Sequence, residues 1–99
     1  MVEFKFIDYG MEFSTRDMGQ KLRQKLLSLI GSGEKVVLDF TGVNVVSNSF
    51  ADECIAKLLH EMPLDELKRQ TTFRGLNPLA ERSVLVALQR RYNVIKNKI

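Results

Sequence analysis

Cys54 and His60 are the two residues of this chain best suited in type to a nucleophile and its base. A thiol is activated by an imidazole only within hydrogen-bond reach. Six positions apart on one helix, they are separated by about 600° of rotation, or about 240° after whole turns. They project in different directions, which leaves Cys54 as a small core residue and His60 as a surface residue near a helix end, where positive charge suits the dipole. Asp39, Asp52 and Glu53 form the second candidate set. Asp39 interrupts an apolar run, and a buried carboxylate without a donor is costly. The Ser47-Asn48-Ser49 loop is the expected source of hydrogen bonds to it, so Asp39 is expected to hold that surface in place. A metal would need more oxygen ligands than these residues assemble. The sequence has no glycine-rich phosphate loop, Ser-His-Asp set or metal-spaced cluster, and the expectation is a protein that is not an enzyme and carries no cofactor.

Ser47 and Ser49 carry the remaining chemistry. A phosphate on either would sit at the start of a helix, where free N–H groups and the dipole favour an anion, while Asp52 and Glu53 in the first turn would repel it. The competing reading is structural: Ser49 caps the helix, with Asp52 three residues on completing a capping box and supporting the dipole.

The elements that must position these residues follow from the pattern. Val2, Phe4 and Phe6 alternate with Glu3 and Lys5, the period of a half-buried strand. Asp8-Tyr9-Gly10 signals a turn, and Met11-Glu12-Phe13 reads as a short strand paired to the first. Ser14 and Asp17 make a capping box, and Phe13 with Met18 a hydrophobic staple. The helix that follows has Met18, Leu22, Leu26, Leu29 and Ile30 on one stripe, Lys21, Arg23, Gln24 and Lys25 on the other side, and ends at Gly31-Ser32-Gly33. Lys35 to Phe40 is apolar on both faces, as in a central parallel strand covered on both sides. Thr41 to Val46 is a loop with room for a brief extended piece. The next helix carries Phe50, Ala51, Cys54, Ile55, Leu58, Leu59 and Met62 inward and stops at Pro63. Leu64 to Gln70 suits a helical turn and Thr71 to Leu76 a strand. Asn77-Pro78 opens a last helix running to about Tyr92. It is expected to bury Leu79 or Ala80, Val84, Leu85 and Leu88 and to expose Glu81, Arg82, Gln89, Arg90 and Arg91, with Asn93 to Ile99 as a short strand or tail. The expected architecture is a single α/β domain over residues 1–99. It has a mixed or parallel sheet of about four strands with three or four helices, in the order strand, strand, helix, strand, helix, strand, helix. Ligands of such sheets bind beyond the carboxyl ends of the strands, here at Asp39 and the Ser47 to Ser49 loop.

The 99 residues are 44% hydrophobic and 27% charged, the range of an ordinary globular domain with room for one core. No run approaches the roughly 20 apolar residues of a membrane helix, and the first residues alternate rather than forming a leader, so a cytoplasmic location is expected. One cysteine excludes an internal disulfide framework. The formal charge of +3 is mild. Its cations gather at Lys21, Arg23 and Lys25 and at Arg82, Arg90, Arg91, Lys96 and Lys98, a distribution that permits nucleic acid without base-stacking aromatics interleaved among the charges.

The segment Val36-Val37-Leu38-Asp39-Phe40-Thr41-Gly42-Val43, followed by Ser47-Asn48-Ser49-Phe50-Ala51-Asp52-Glu53, resembles the STAS-like domains of unknown function found in bacteria, which in turn look like anti-sigma-factor antagonists. Phe13-Ser14-Thr15-Arg16, Gly19 and the helix after them extend the likeness over most of the chain. In the antagonists this loop carries an Asp-Ser-Ser-Gly-type motif, and one of its serines is phosphorylated by an ATP-binding, histidine-kinase-like anti-sigma partner. Laid on that motif, Ser47 takes the acidic position, Asn48 the usual acceptor, Ser49 the second serine and Phe50 the glycine. The chain thus departs from the motif at the acceptor. It also has room for little more than a tail where the antagonists continue with a further strand and helix.

The resemblance implies a regulatory protein-binding module whose contact surface is Asn44, Ser47, Asn48, Ser49, Phe50 and Glu53. Ser49 and Ser47 are its candidate phosphorylation sites, Asp39 and Asp52 its structural supports, and a kinase-like ATPase its partner. Phe50 is either an anchor in the core or, if exposed, a contact residue. The alternative is a nucleic-acid-associated regulator using the basic last helix.

Overall fold

Alternation at the start of the chain produces strand β1, Val2–Lys5, with Phe4 buried and Glu3 and Lys5 exposed. In this computed structural model, which describes residues 1–97, β1 pairs in parallel with β3, Val36–Asp39, and β3 in parallel with β5, Thr71–Arg74, giving the order β1-β3-β5. Lys5, Asp39 and Arg74 stand in one row across the three strands. The central strand is buried at every position, as its composition predicts, but the cover differs from expectation. Glu3, Lys5, Thr72 and Arg74 make one face of the sheet polar. Arg74 reaches Glu3 at 2.6 Å, an ion pair between the two edge strands that crosses β3 and shields Val37.

Strand β2, Glu12–Phe13, does not pair with β1. A 3-10 turn over Phe6–Tyr9 and Gly10, at a positive φ of 144°, carry the chain off the sheet, burying Phe6 in that turn instead of in a strand. β2 then pairs in parallel with β4, Val45–Val46, so five strands form two parallel sheets where about four in one were expected. Helices α1, Arg16–Ile30, and α2, Asn48–Cys54, leave this small ladder from adjacent strands. The ladder continues through Ser47 N to Phe13 O at 2.9 Å, and Ser47 Oγ donates to Ser14 O at 3.1 Å. Thr15, rather than Ser14, caps α1, accepting from Met18 N at 3.3 Å.

The helix expected from Phe50 to Met62 is two pieces, α2 and a 3-10 segment Ala56–His60. Glu53, Cys54, Ile55 and Ala56 are buried consecutively, which one stripe of a regular α-helix does not do. Helix α3, Leu64–Gln70, is as expected. Helix α4, Pro78–Lys96, is capped by Asn77, whose Oδ1 accepts from Ala80 N at 2.8 Å. It runs past Tyr92 because nothing in Asn93 to Lys96 stops it. Ala80, Val84 and Ala87 face the core, while Leu79 and the expected core residue Leu85 are exposed. Lys98 and Ile99 lie outside the described residues.

Phe50 is fully buried, its ring centroid 4.9 Å from Phe13 and 6.4 Å from Phe6, which stacks on Phe40 at 3.9 Å. It anchors the start of α2. At Gly19 helices α1 and α2 approach closely: a Cβ there would lie 2.9 Å from Glu53 Cβ and 3.3 Å from Cys54 N. Alanine in a helix interior ordinarily adds about 1 kcal/mol over glycine. Here the overlap is the larger effect, and Gly19→Ala is expected to lose about 2 kcal/mol in a urea titration. A variant as stable as the wild type would show that the two helices are not in contact at this position.

Candidate functional site

The start of α2 faces α4 across a groove of about 360 Å³. Asn48 and Ser49 form one lip, and Val86, Ala87, Arg90 and Val94 of α4 the other. Arg16, Asp52 and Arg91 close its inner side. Asn48 and Ser49 are exposed because the residues around them are committed elsewhere. Phe50 is in the core, and Ser47, not Ser49, is the N-cap, its Oγ accepting from Phe50 N at 3.0 Å. The capping box expected between Ser49 and Asp52 does not form.

Asp52 and Glu53 are held instead by arginines. Arg91 grips Asp52 in a bidentate pair, Nε to Oδ1 and Nη2 to Oδ2 both at 2.7 Å, and Arg16 reaches Oδ2 at 2.8 Å. Glu53, only 7% exposed, receives Arg23 at 2.9 Å and Arg16 at 3.2 Å, with Lys57 Nζ 2.9 and 3.1 Å from its two carboxylate oxygens. Arg23 also donates to the Glu53 carbonyl. Two carboxylates thus join α1, α2, the 3-10 segment and α4. The helical pattern puts Arg23 and Arg91 on solvent faces and does not reveal this network. Its one legible sign was the pairing of Gly19 with Arg23 one turn later, opposite an acidic pair.

The other predicted residues separate. Glu53 is too buried to be a contact residue. Asn44 is exposed, but its carbonyl accepts from Asn77 Nδ2 at 2.9 Å at the start of α4, outside the groove lining. Asp39 takes no bond from the Ser47 to Ser49 loop. Its Oδ1 accepts from Thr41 N at 2.9 Å and its Oδ2 lies 3.6 Å from Arg74, and these lower its pKa. The loop is drawn away because the β2–β4 ladder holds Ser47 against Ser14. Thr41 in turn abuts Gly75, where φ is +75° and a Cβ would lie 2.6 Å from Thr41 N. Asp39 therefore belongs to a different network from Asp52 and Glu53. Cys54 is buried, which pushes its thiol pKa up, and His60 is exposed.

Arg91, with Arg16, lowers the Asp52 carboxyl to about 2 against burial. For Glu53, burial acts upward, but Arg23, Lys57 and Arg16 together hold it at about 2. Both lie below the ordinary 3.8 and 4.5. A lowered carboxylate contributes stability above its unfolded-chain pKa and loses it as pH falls through its folded one. The urea midpoint is therefore expected to drop between pH 4.5 and about 2, and to drop less in Asp52→Asn/Glu53→Gln. Parallel curves for the two proteins would show that these carboxylates are not the groups responsible.

Among the described residues, no helix is long and apolar enough to cross a membrane. A family model described as STAS-like domain of unknown function (DUF4325) matches residues 18–80. The match includes Gly19, Arg23, the central strand and the whole Ser47 to Glu53 segment. Neither the curated proteins nor the solved structures contain a match to the chain. With well over half of its length matched, on the strands and helices that build the α2 lip of the groove, the chain belongs to the family of STAS-like domains of unknown function.

Proposed function

We propose that this domain is a non-enzymatic regulatory module of bacterial signalling that binds another protein through the start of α2, in the manner its resemblance to anti-sigma-factor antagonists implies. The observation that carries this reading is the contrast within four consecutive residues. Ser47 and Phe50 are fixed by capping and by the aromatic core, and Asn48 and Ser49 between them are presented to solvent on the lip of a groove. A short polar surface on a rigid support is well suited to recognition, since little freedom is lost on binding.

The partner in this reading is a histidine-kinase-like ATPase, and the switch is phosphorylation of Ser49. The Ser49 hydroxyl is not used in the cap, whereas Ser47 Oγ both accepts from Phe50 N and donates to Ser14 O. Asp52 and Glu53 are already neutralised by their arginines. A phosphate on Ser49 would thus enter a groove that also holds Arg16 and Arg90, the type of partner that phosphate binds most strongly. The nucleic-acid alternative loses one of its cations, because Arg91 is committed to Asp52.

The test is affinity capture from native lysate, treated with nuclease, on wild-type protein and on Asn48→Asp and Ser49→Asp, read by mass spectrometry with phosphopeptide mapping. A kinase-like ATPase retained by the wild type and lost with both variants is the expected result. Capture of the same proteins by all three would overturn the reading, and binding abolished by nuclease would replace it with the nucleic-acid one.

A further inference from the structure

Val86, Arg90 and Val94 follow one another at intervals of four on α4, a ridge with about 6 Å between neighbours, and all three line the groove opposite Asn48 and Ser49. Val94 is 51% exposed. Among the described residues Arg90 is exposed and has no carboxylate partner, while Arg16 keeps 53% of its side chain exposed beside Asp52. The groove lining holds three cations, Arg16, Arg90 and Arg91, and one carboxylate, Asp52, a surplus of two positive charges.

We propose that this groove docks an acidic amphipathic helix of the partner protein, with a glutamate or aspartate on Arg90 and Arg16 and aliphatic residues on either side of it against Val86 and Val94. This rests on the module reading above and names what the module recognises. The charge surplus selects an acidic ligand. The apolar residues on both sides of Arg90 select against a free anion, which would leave Val86 and Val94 wet. No aromatic side chain lines the groove to stack a base. A ridge with a period of four is met by a helix carrying apolar, acidic and apolar residues at the same period, the helix-in-groove mode of recognition.

Two measurements test it. The first is fluorescence anisotropy with a labelled helical peptide bearing leucine, glutamate and leucine at intervals of four, and a control peptide with lysine for glutamate. Arg90→Glu and Val94→Asp, both at exposed positions and checked for folding by circular dichroism, are expected to weaken binding of the acidic peptide about tenfold or more. Arg82→Glu, an equal charge change outside this groove, is expected to leave it nearly unchanged, and the lysine peptide is expected not to bind. Equal losses in Arg82→Glu and Arg90→Glu, equal binding of the two peptides, no binding of the acidic peptide, or its displacement by duplex DNA would each overturn the proposal. The second measurement adds Arg90→Glu to the lysate capture. An ATPase lost with Asn48→Asp and Ser49→Asp but retained by Arg90→Glu would leave the module reading standing and remove the acidic helix. Capture indifferent to all three variants would remove both.

Discussion

Glu53 carries its charge at a position only 7% exposed, and the arrangement of the helices follows from what that requires. Removing a carboxylate from water costs several kcal/mol, offset only where geometry and charge converge on it. Arg23 and Arg16 from α1 and Lys57 from the 3-10 segment supply that convergence. Lys57 is a local partner four residues on, whereas the two arginines reach across because Gly19 leaves no side chain between the helices. The glycine and the carboxylate are thus two halves of one constraint: without the close approach Arg23 would not reach, and without the arginines the close approach would bury an unpaired charge.

Asp52 extends this constraint to the third helix. By taking Arg91 in a bidentate pair it sets the distance between α2 and the C-terminal half of α4, which is the width of the groove. The opposite end of α2 is fixed by different forces: the β2–β4 ladder, the Ser47 cap and the Phe50 ring among Phe6 and Phe13. Asn48 and Ser49 lie between Ser47 and Phe50, held on both sides by this second set of restraints while their own side chains take part in neither set. That explains how two small polar residues hold a definite place on the surface.

The elements with a strong period were legible in the sequence. β1, β3, α1, α3, β5 and the Asn77-Pro78 start of α4 stand close to where alternation, stripes and caps put them, and Asn48 and Ser49 lie on the lip of the groove between α2 and α4. What escaped depended on partners far away in the chain. A strand of two residues carries no information about which neighbour it joins, so the pattern suggests a pairing of β2 with β1 although the 3-10 turn after Lys5 directs it to β4. Ser14 and Thr15, or Ser47 and Ser49, are equally good caps by composition, and backbone bonds to Phe13 and Ser14 decide between them. Arg23 and Arg91 look solvated on a helical wheel, because their carboxylates are thirty and thirty-nine positions away in sequence. Asp39 is expected to take its bonds from the Ser47 to Ser49 loop, but its donor is Thr41, two residues on.

The most direct test of this account is a double-mutant cycle on Asp52→Ala and Arg91→Ala, with unfolding free energies from urea titration at neutral pH. If the pair ties α2 to α4, the two losses are expected to be non-additive, with a coupling of about 1 kcal/mol or more. Losses that add to within about 0.3 kcal/mol would mean that the pair is an incidental surface contact and that the groove is not built by it.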